Sequence, residues 1–176
     1  MKAIDELEWI SKFYGNGLDL KVKGIERITN FTFLWNMFEA FACGTWADYE
    51  KINTAVDKMD ASDPIDVKPY VNYFRDRYFD KHGSTPLFNG LKFRPTGGDA
   101  NAKAKVTDAL TLKETNGVEV LKALLYILYR FRNNLFHGGK NVANIVSQID
   151  NFIVANNLLI EILDKMKGQG LVNLNA

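Results

Sequence analysis

Apolar residues recur every three or four positions along most of the chain, a spacing that predicts helices. The pattern is clearest from residue 24 to residue 43, where its apolar members are Ile25, Ile28, Phe31, Leu34, Phe38 and Phe41. The same spacing predicts further helices at about 2–13, 45–60, 66–80, 102–112, 117–137 and 142–167. Strict alternation of apolar and polar residues, which indicates a strand, does not persist over any long stretch of the sequence. The pattern predicts an all-α helical bundle.

The stretch from residue 81 to residue 101 interrupts this pattern. It contains two prolines and several glycines, which are residues typical of loops and turns. Leu91-Lys92-Phe93-Arg94 alternates within it, so we expect a small β excursion around residues 88–95. Lys92, Phe93 and Arg94 either stack and clamp a single strand or form a loop whose Phe docks on the core.

Composition indicates one domain spanning residues 1–176, because 47% of the residues are apolar and 24% are charged. No apolar run approaches the roughly 20 residues of a membrane span, and MKAIDELEW lacks the pattern of a signal peptide. We therefore expect a cytoplasmic protein with no membrane contact. Cys43 is the only cysteine, and two histidines without clustered carboxylates predict no metal site. Phosphate-cradling loops for ATP or NAD are missing from the sequence, so no cofactor is expected.

Positive charge is concentrated in one window of an otherwise balanced chain, whose net charge is +1. No acidic residue occurs between Glu119 and Asp150, and the basic residues inside this window are Lys122, Arg130, Arg132 and Lys140. A local basic site on a nearly neutral protein favours a ligand that carries phosphate. A basic face without a ligand is the alternative.

The polar residues at the end of the buried helix have a restrictive geometry. At 100° per residue, Arg130, Asn133 and His137 share one face of that helix. Arg132 lies about 140° round from His137 and roughly 7.5 Å along the axis, so a straight helix cannot bring both to one ligand. Either the glycines at 138–139 end the helix and let His137 fold back, or a second chain completes the site. The two options are compatible.

The string Arg132-Asn133-Asn134-Leu135-Phe136-His137 resembles the R-x4-H motif, in its R-N-x-x-x-H form, of the HEPN superfamily of small α-helical domains. The resemblance implies a metal-independent endoribonuclease of bacterial defence or a toxin–antitoxin system, with an antitoxin protein as a further partner. It also implies a homodimer whose two motifs share one composite active site. One subgroup carries a modifiable tyrosine two residues after the histidine, where this chain has Gly139. Some members have lost catalysis, so the alternative is a nucleotide-binding or protein-interaction module.

The motif residues suit RNA cleavage in which the 2′-hydroxyl attacks phosphorus and leaves a 2′,3′-cyclic phosphate. His137 would act as general acid and base, because imidazole changes protonation state near neutral pH. Arg132 would clamp the phosphate, because its planar fork binds phosphate through two hydrogen bonds and stays charged. Asn133 would orient the imidazole or bind phosphate. The structural alternative is that Arg132 and Asn133 cap carbonyls at a helix end while His137 packs.

Further polar residues complete the predicted site. Arg130, Asn134 and Lys140 would bind the RNA strand. Glu39 and Asn36 lie on a polar stripe of the 24–43 helix, and in HEPN-like folds such a stripe often borders the cleft. Either residue would support Arg132; the alternative is that the stripe is a solvated helix face.

Overall fold

Helices form most of the described chain, which comprises residues 5–14, 21, 23–136 and 146–172 of a computed structural model. The helices are α1 (Glu6–Tyr14), α2 (Glu26–Ala42), α3 (Tyr49–Asp57), α4 (Lys68–Tyr78), α5 (Pro86–Asn89), α6 (Gly97–Leu110), α7 (Gly117–Phe136) and α8 (Ile149–Gly168). A 3-10 turn, Val146–Gln148, precedes α8, and the predicted helical residues 142–145 lie outside the described residues. The predicted all-α helical bundle is confirmed. None of the helices in these ranges has the length and apolar content needed to cross a bilayer.

α7 is the central helix of the bundle. Every residue from Val120 to Leu128 is buried, and α6 and α3 pack against this helix. α2 and α8 pack against each other on another side of the core. The aromatic rings of Phe31, Phe131 and Phe152 meet between α2, α7 and α8, with centroids 5.3–6.4 Å apart. Burial of each such ring contributes about 1.5–3 kcal/mol, so the base of the predicted site is anchored in the core.

The connection between α2 and α3 differs from the continuous helix predicted over 45–60. After Ala42 the backbone turns through Gly44 at φ 62° and Thr45 at φ 85°. The Asp48 carboxylate then accepts a hydrogen bond of 2.8 Å from the Lys51 amide and caps the first turn of α3. Trp46 therefore precedes the helix and is exposed.

The small β element is present but lies earlier than residues 88–95. Its two-residue strands, β1 (Phe79–Asp80) and β2 (Gly83–Ser84), pair in antiparallel register. Pro86 then begins α5. The fixed φ of this proline suits the first turn of a helix. Lys92 adopts a left-handed φ of 56°, which interrupts an extended path through Leu91–Arg94.

Candidate functional site

The last described turns of α7 carry four of the predicted site residues: Arg130, Arg132, Asn133 and Asn134. The predicted acid–base residue His137 and the predicted RNA-binding Lys140 lie outside the described residues. The described part of the site is therefore the wall formed by α7 and the segments that face it.

A cleft of about 540 Å³ opens at this wall. Its lining comes from α7, from the end of α2 with the α2–α3 connection, and from the segment after α5. The lining residues are Glu39, Trp46, Ala47, Lys92, Arg94, Tyr129, Arg130, Arg132, Asn133 and Asn134. Among these residues four are basic and one is acidic, so the cleft suits an anionic ligand.

Arg132 is held at the cleft by a buried carboxylate. Its Nη2 lies 3.7 Å from Oε1 of Glu39, and its Nη1 donates to the Asn133 side-chain oxygen at 3.3 Å. The same Oε1 of Glu39 accepts a hydrogen bond of 3.1 Å from the Ala47 amide. Glu39 thus pairs with the guanidinium and bonds to the α2–α3 connection through the same oxygen. Asn36, one turn earlier on α2, is exposed, and the described lining of the cleft does not include it.

Arg130 is directed into the structure. Its Nε donates to the Leu91 carbonyl at 3.0 Å, and its Nη2 donates to the Lys92 carbonyl at 2.7 Å. Its Nη1 lies 3.3 Å from Asp99, and only 9% of the side chain is exposed. The guanidinium therefore holds the segment after α5 against α7, and an additional role of Arg130 in binding RNA stays a prediction.

Asn134 has a similar structural task one turn later. Its amide nitrogen donates to the carbonyls of Gly90 and Leu91 at 3.2 and 3.3 Å, and the residue is buried. An amide in this position satisfies backbone acceptors that no strand or helix satisfies. Its predicted contact with RNA likewise stays a prediction.

Asp99, in the first turn of α6, contacts two residues that line the cleft, Arg94 and Arg130. It accepts a hydrogen bond of 2.7 Å from the Tyr49 hydroxyl and one of 2.8 Å from the Arg94 amide, in addition to its pair with Arg130. Burial, followed by the bond to Asp99, raises the pKa of the Tyr49 hydroxyl, which therefore stays a hydrogen-bond donor at neutral pH. Asp99 thus links α3, α6 and α7.

The basic window of the sequence is partly neutralised in three dimensions. Lys122 lies 2.7 Å from Asp57 and 2.6 Å from Glu119, at a different part of α7. Arg130 and Arg132 pair with Asp99 and Glu39, which come from other helices. Lys92 and Arg94 are exposed cations of the cleft, and the Arg94 side chain is 84% exposed. Positive charge at the cleft thus comes from two segments rather than from α7 alone.

The predicted residues Arg132, Asn133 and Glu39 line the cleft, but the sequence pattern did not indicate Trp46 or the contacts of Asp99. The helix predicted over 45–60 includes Trp46, whereas this residue precedes α3 and lines the cleft. The sequence signal for its position is Asp48, a residue type that caps helix starts. The local bond of Asp99 to the Arg94 amide gives no signal of its pairing with Arg130 and Tyr49, because these two partners are 31 and 50 residues away in the sequence.

The lining contains groups that can bind an anion. It presents guanidinium, ammonium and amide donors, which bind phosphate oxygens. Across the described ranges, His, Cys, Asp and Glu side chains form no group of three that could hold a metal ion. The chain matches no protein-family model, no curated protein and no solved structure.

Proposed function

We propose that the protein is a metal-independent endoribonuclease of the HEPN type that leaves 2′,3′-cyclic phosphate ends on RNA. The observation that supports this most is the setting of Arg132. This first residue of the R-x4-H string lies at an open basic cleft and is oriented by the buried carboxylate of Glu39. A held guanidinium is the group that such a reaction needs beside the non-bridging oxygens, where negative charge builds.

The residues would divide the chemistry as follows. Arg132 binds the scissile phosphate, and Glu39 limits the directions in which its fork points. Asn133, which accepts a bond from Arg132, lies beside it in the cleft and provides a further polar contact. His137, assigned from the motif alone, removes the proton of the 2′-hydroxyl and returns one to the leaving 5′-oxygen.

The proposal includes a homodimer with a composite active site in the cytoplasm, as the family resemblance implies. Spacing supports it, because a straight helix turns Arg132 and His137 about 140° apart. In a dimer, Arg132 of one protomer and His137 of the other can meet at one phosphate. An antitoxin or another regulator in a defence system would be the corresponding partner.

A second candidate function is a non-catalytic nucleotide-binding or interaction module. The internal hydrogen bonds of Arg130 and Asn134 favour it, because they give part of the motif region a structural task. Such a module would use the same cleft to bind phosphate without cleaving it.

Cleavage of a long single-stranded RNA in EDTA tests the proposal. We expect Arg132→Ala to lower the rate by about 10²–10³-fold and His137→Ala by about 10²–10⁴-fold, with Arg132→Lys also impaired because it lacks the fork. Arg75→Ala is the control, since Arg75 pairs with Asp76 at 3.4 Å and does not line the cleft. Products should carry 2′,3′-cyclic phosphate.

Undiminished cleavage by folded Arg132→Ala and His137→Ala proteins contradicts the proposed catalytic roles of these two residues. RNA binding without cleavage by the unaltered protein favours the non-catalytic binding module.

Mixing the two inactive proteins tests the composite site. A heterodimer of Arg132→Ala and His137→Ala chains keeps one intact Arg132 and one intact His137, on different protomers. If the site is shared, the mixture regains part of the activity that each protein lacks alone. If both residues act within one chain, the mixture stays inactive.

A further inference from the structure

We propose that Trp46 is a base-stacking residue that holds an unpaired nucleobase of a single-stranded RNA next to the phosphate bound by Arg132. This inference rests on the proposed function and adds its substrate class. The base would lie against the indole, while the neighbouring phosphates lie toward the cationic groups of the same cleft.

Trp46 is placed where a ligand can reach it. It is 54% exposed, although tryptophan is usually mostly buried, and it lines the cleft together with Arg132. Trp35, eleven residues earlier, shows the usual behaviour, with 1% exposure in the core. Lys92 and Arg94 line the same cleft and supply side chains for the phosphates on either side of a stacked base. Alternating aromatic and cationic groups are typical of sites for single strands.

The backbone on both sides of Trp46 is fixed to one residue. The Thr45 amide donates to the Glu39 carbonyl at 3.0 Å, and the Ala47 amide donates to the Glu39 carboxylate at 3.1 Å. That same carboxylate pairs with Arg132. Glu39 therefore sets the position of the indole relative to the guanidinium. A site that binds both the base and the phosphate of one nucleotide requires such a defined relative position.

The turn that presents Trp46 is conformationally unfavourable. Thr45 has φ 85°, a left-handed value that is rare for a β-branched residue. Backbone strain of this kind persists where surrounding contacts determine it, and it is enriched at functional sites. Here those contacts are the two bonds to Glu39, and their effect is to turn a large apolar side chain toward the cleft rather than toward the core.

A lysine completes the platform. Lys51 Nζ lies 3.3 Å from the centroid of the Trp46 ring, in a cation–π contact. The ammonium group covers one face of the indole, so a base would stack on the opposite face. It also adds a positive charge close to the stacked nucleotide.

These features select single strands. Stacking on a side chain requires a base that is not stacked on its neighbours in a duplex, and it tolerates any base because each has a π face. A cleft of about 540 Å³ is within the range of roughly 300–1,000 Å³ of small-ligand sites, so it accepts a short unpaired segment rather than a helix.

Binding of a non-cleavable, 2′-O-methylated single-stranded RNA, followed by fluorescence anisotropy, tests the inference independently of catalysis. We expect Trp46→Ala to weaken binding on the order of ten-fold and Trp46→Phe to weaken it less, because phenylalanine still stacks. Trp9→Ala is the matched control, since Trp9 is 56% exposed on α1 and does not line the cleft. It should bind like the unaltered protein, and a duplex of the same sequence should bind more weakly and show no dependence on Trp46.

A second readout reports stacking directly. In the Trp9→Phe background, Trp46 is the exposed tryptophan and Trp35 is buried, so quenching of tryptophan fluorescence by the oligonucleotide reports contact with Trp46.

Equal affinities for folded Trp46→Ala, Trp46→Phe and unaltered proteins overturn the inference, as does an unaltered protein that fails to bind the oligonucleotide. Trp46-dependent binding by a protein that never cleaves RNA retains this inference and rejects the nuclease. RNA cleavage by a protein whose binding does not depend on Trp46 retains the nuclease and rejects the stacking role of Trp46.

Discussion

The guanidinium of Arg130 lies 3.3 Å from the carboxylate of Asp99, although the two residues are separated by 31 positions in the sequence. The pair is nearly buried, with side-chain exposures of 9% and 12%. The carbonyls of Leu91 and Lys92 accept further hydrogen bonds from the same guanidinium. A predicted RNA-binding cation is thus also the tie between α6, α7 and the segment after α5.

Removal of one partner of this pair should destabilise the protein. We expect Arg130→Ala to lower the free energy of unfolding by about 3 kcal/mol, because it leaves the nearly buried Asp99 carboxylate without its cation and takes the Arg130 donor from the Lys92 carbonyl. Urea unfolding measures the loss. The control Arg75→Ala removes an exposed pair with Asp76 and should change stability by less than about 0.5 kcal/mol. Similar losses in both variants would refute the structural role of Arg130.

Glu39→Gln should separate cleavage from binding. The amide oxygen of glutamine can still accept from the Ala47 amide, whereas the charge that orients Arg132 is lost. We therefore expect kcat for RNA cleavage to fall about ten-fold, with affinity for RNA unchanged or increased because the cleft becomes more positive. Glu161→Gln, on α8 and bonded to Tyr70 at 2.6 Å, is the control. A fall in affinity with unchanged kcat would contradict this role.

Leu112→Gly should stabilise the protein. Leu112 follows the last turn of α6 with φ 60° and is 55% exposed. The Lys113 amide donates to the Asp108 carbonyl at 2.9 Å, which is the hydrogen bond of a Schellman motif whose left-handed position normally holds glycine. We expect a gain of about 1 kcal/mol in urea unfolding, from relief of the left-handed strain.

The control for this substitution is Ile160→Gly. Ile160 is 44% exposed but lies within α8, where glycine is unfavourable by about 1 kcal/mol. If both glycine variants lose stability alike, the left-handed strain at Leu112 is not a significant cost.

Stability should fall in mild alkali because of Cys43. Burial, and next the nearby charge of Glu39, raise the pKa of its thiol to about 12. In the unfolded chain the thiol ionises near its ordinary pKa of about 8.5, so above that pH the unfolded state loses a proton that the folded state keeps. The free energy of unfolding should therefore drop on the order of 1 kcal/mol between pH 8 and pH 9.5. In Cys43→Ala most of this drop should disappear, with a small remainder from buried tyrosines such as Tyr49, whose pKa is also raised. An identical drop in both proteins would exclude the thiol as its cause.

Local patterns predicted the helices well, because the burial of one helix face dictates spacing in the sequence. α2 and α7 appear within two residues of their predicted bounds over the described chain. The predicted start of α3 is too early because Trp46 continues the apolar spacing of Tyr49 and Ile52. The Asp48 cap, a local polar interaction, determined the boundary instead.

Features that depend on distant partners were not accessible from the sequence. The alternating residues Leu91–Arg94 predicted a strand, but a strand needs a neighbour, and here the Arg130 side chain takes the backbone carbonyls of this segment. The basic window predicted a strong positive patch, yet Asp57, Asp99 and Glu39 approach it from other helices. The fold brings these acidic residues close to the basic window, and this proximity cannot be inferred from residue spacing along the chain.

The central position of α7 implies unequal dynamics around the cleft. Amide hydrogens of a helix buried from Val120 to Leu128 exchange with solvent mainly through global unfolding, whereas those of the 44–47 and 90–94 connections exchange through local opening. The cleft residues of α7, from Tyr129 to Asn134, directly follow this segment, so that side of the cleft is continuous with the most protected part of the molecule. A bound strand would therefore meet one wall whose position changes little before the whole protein unfolds.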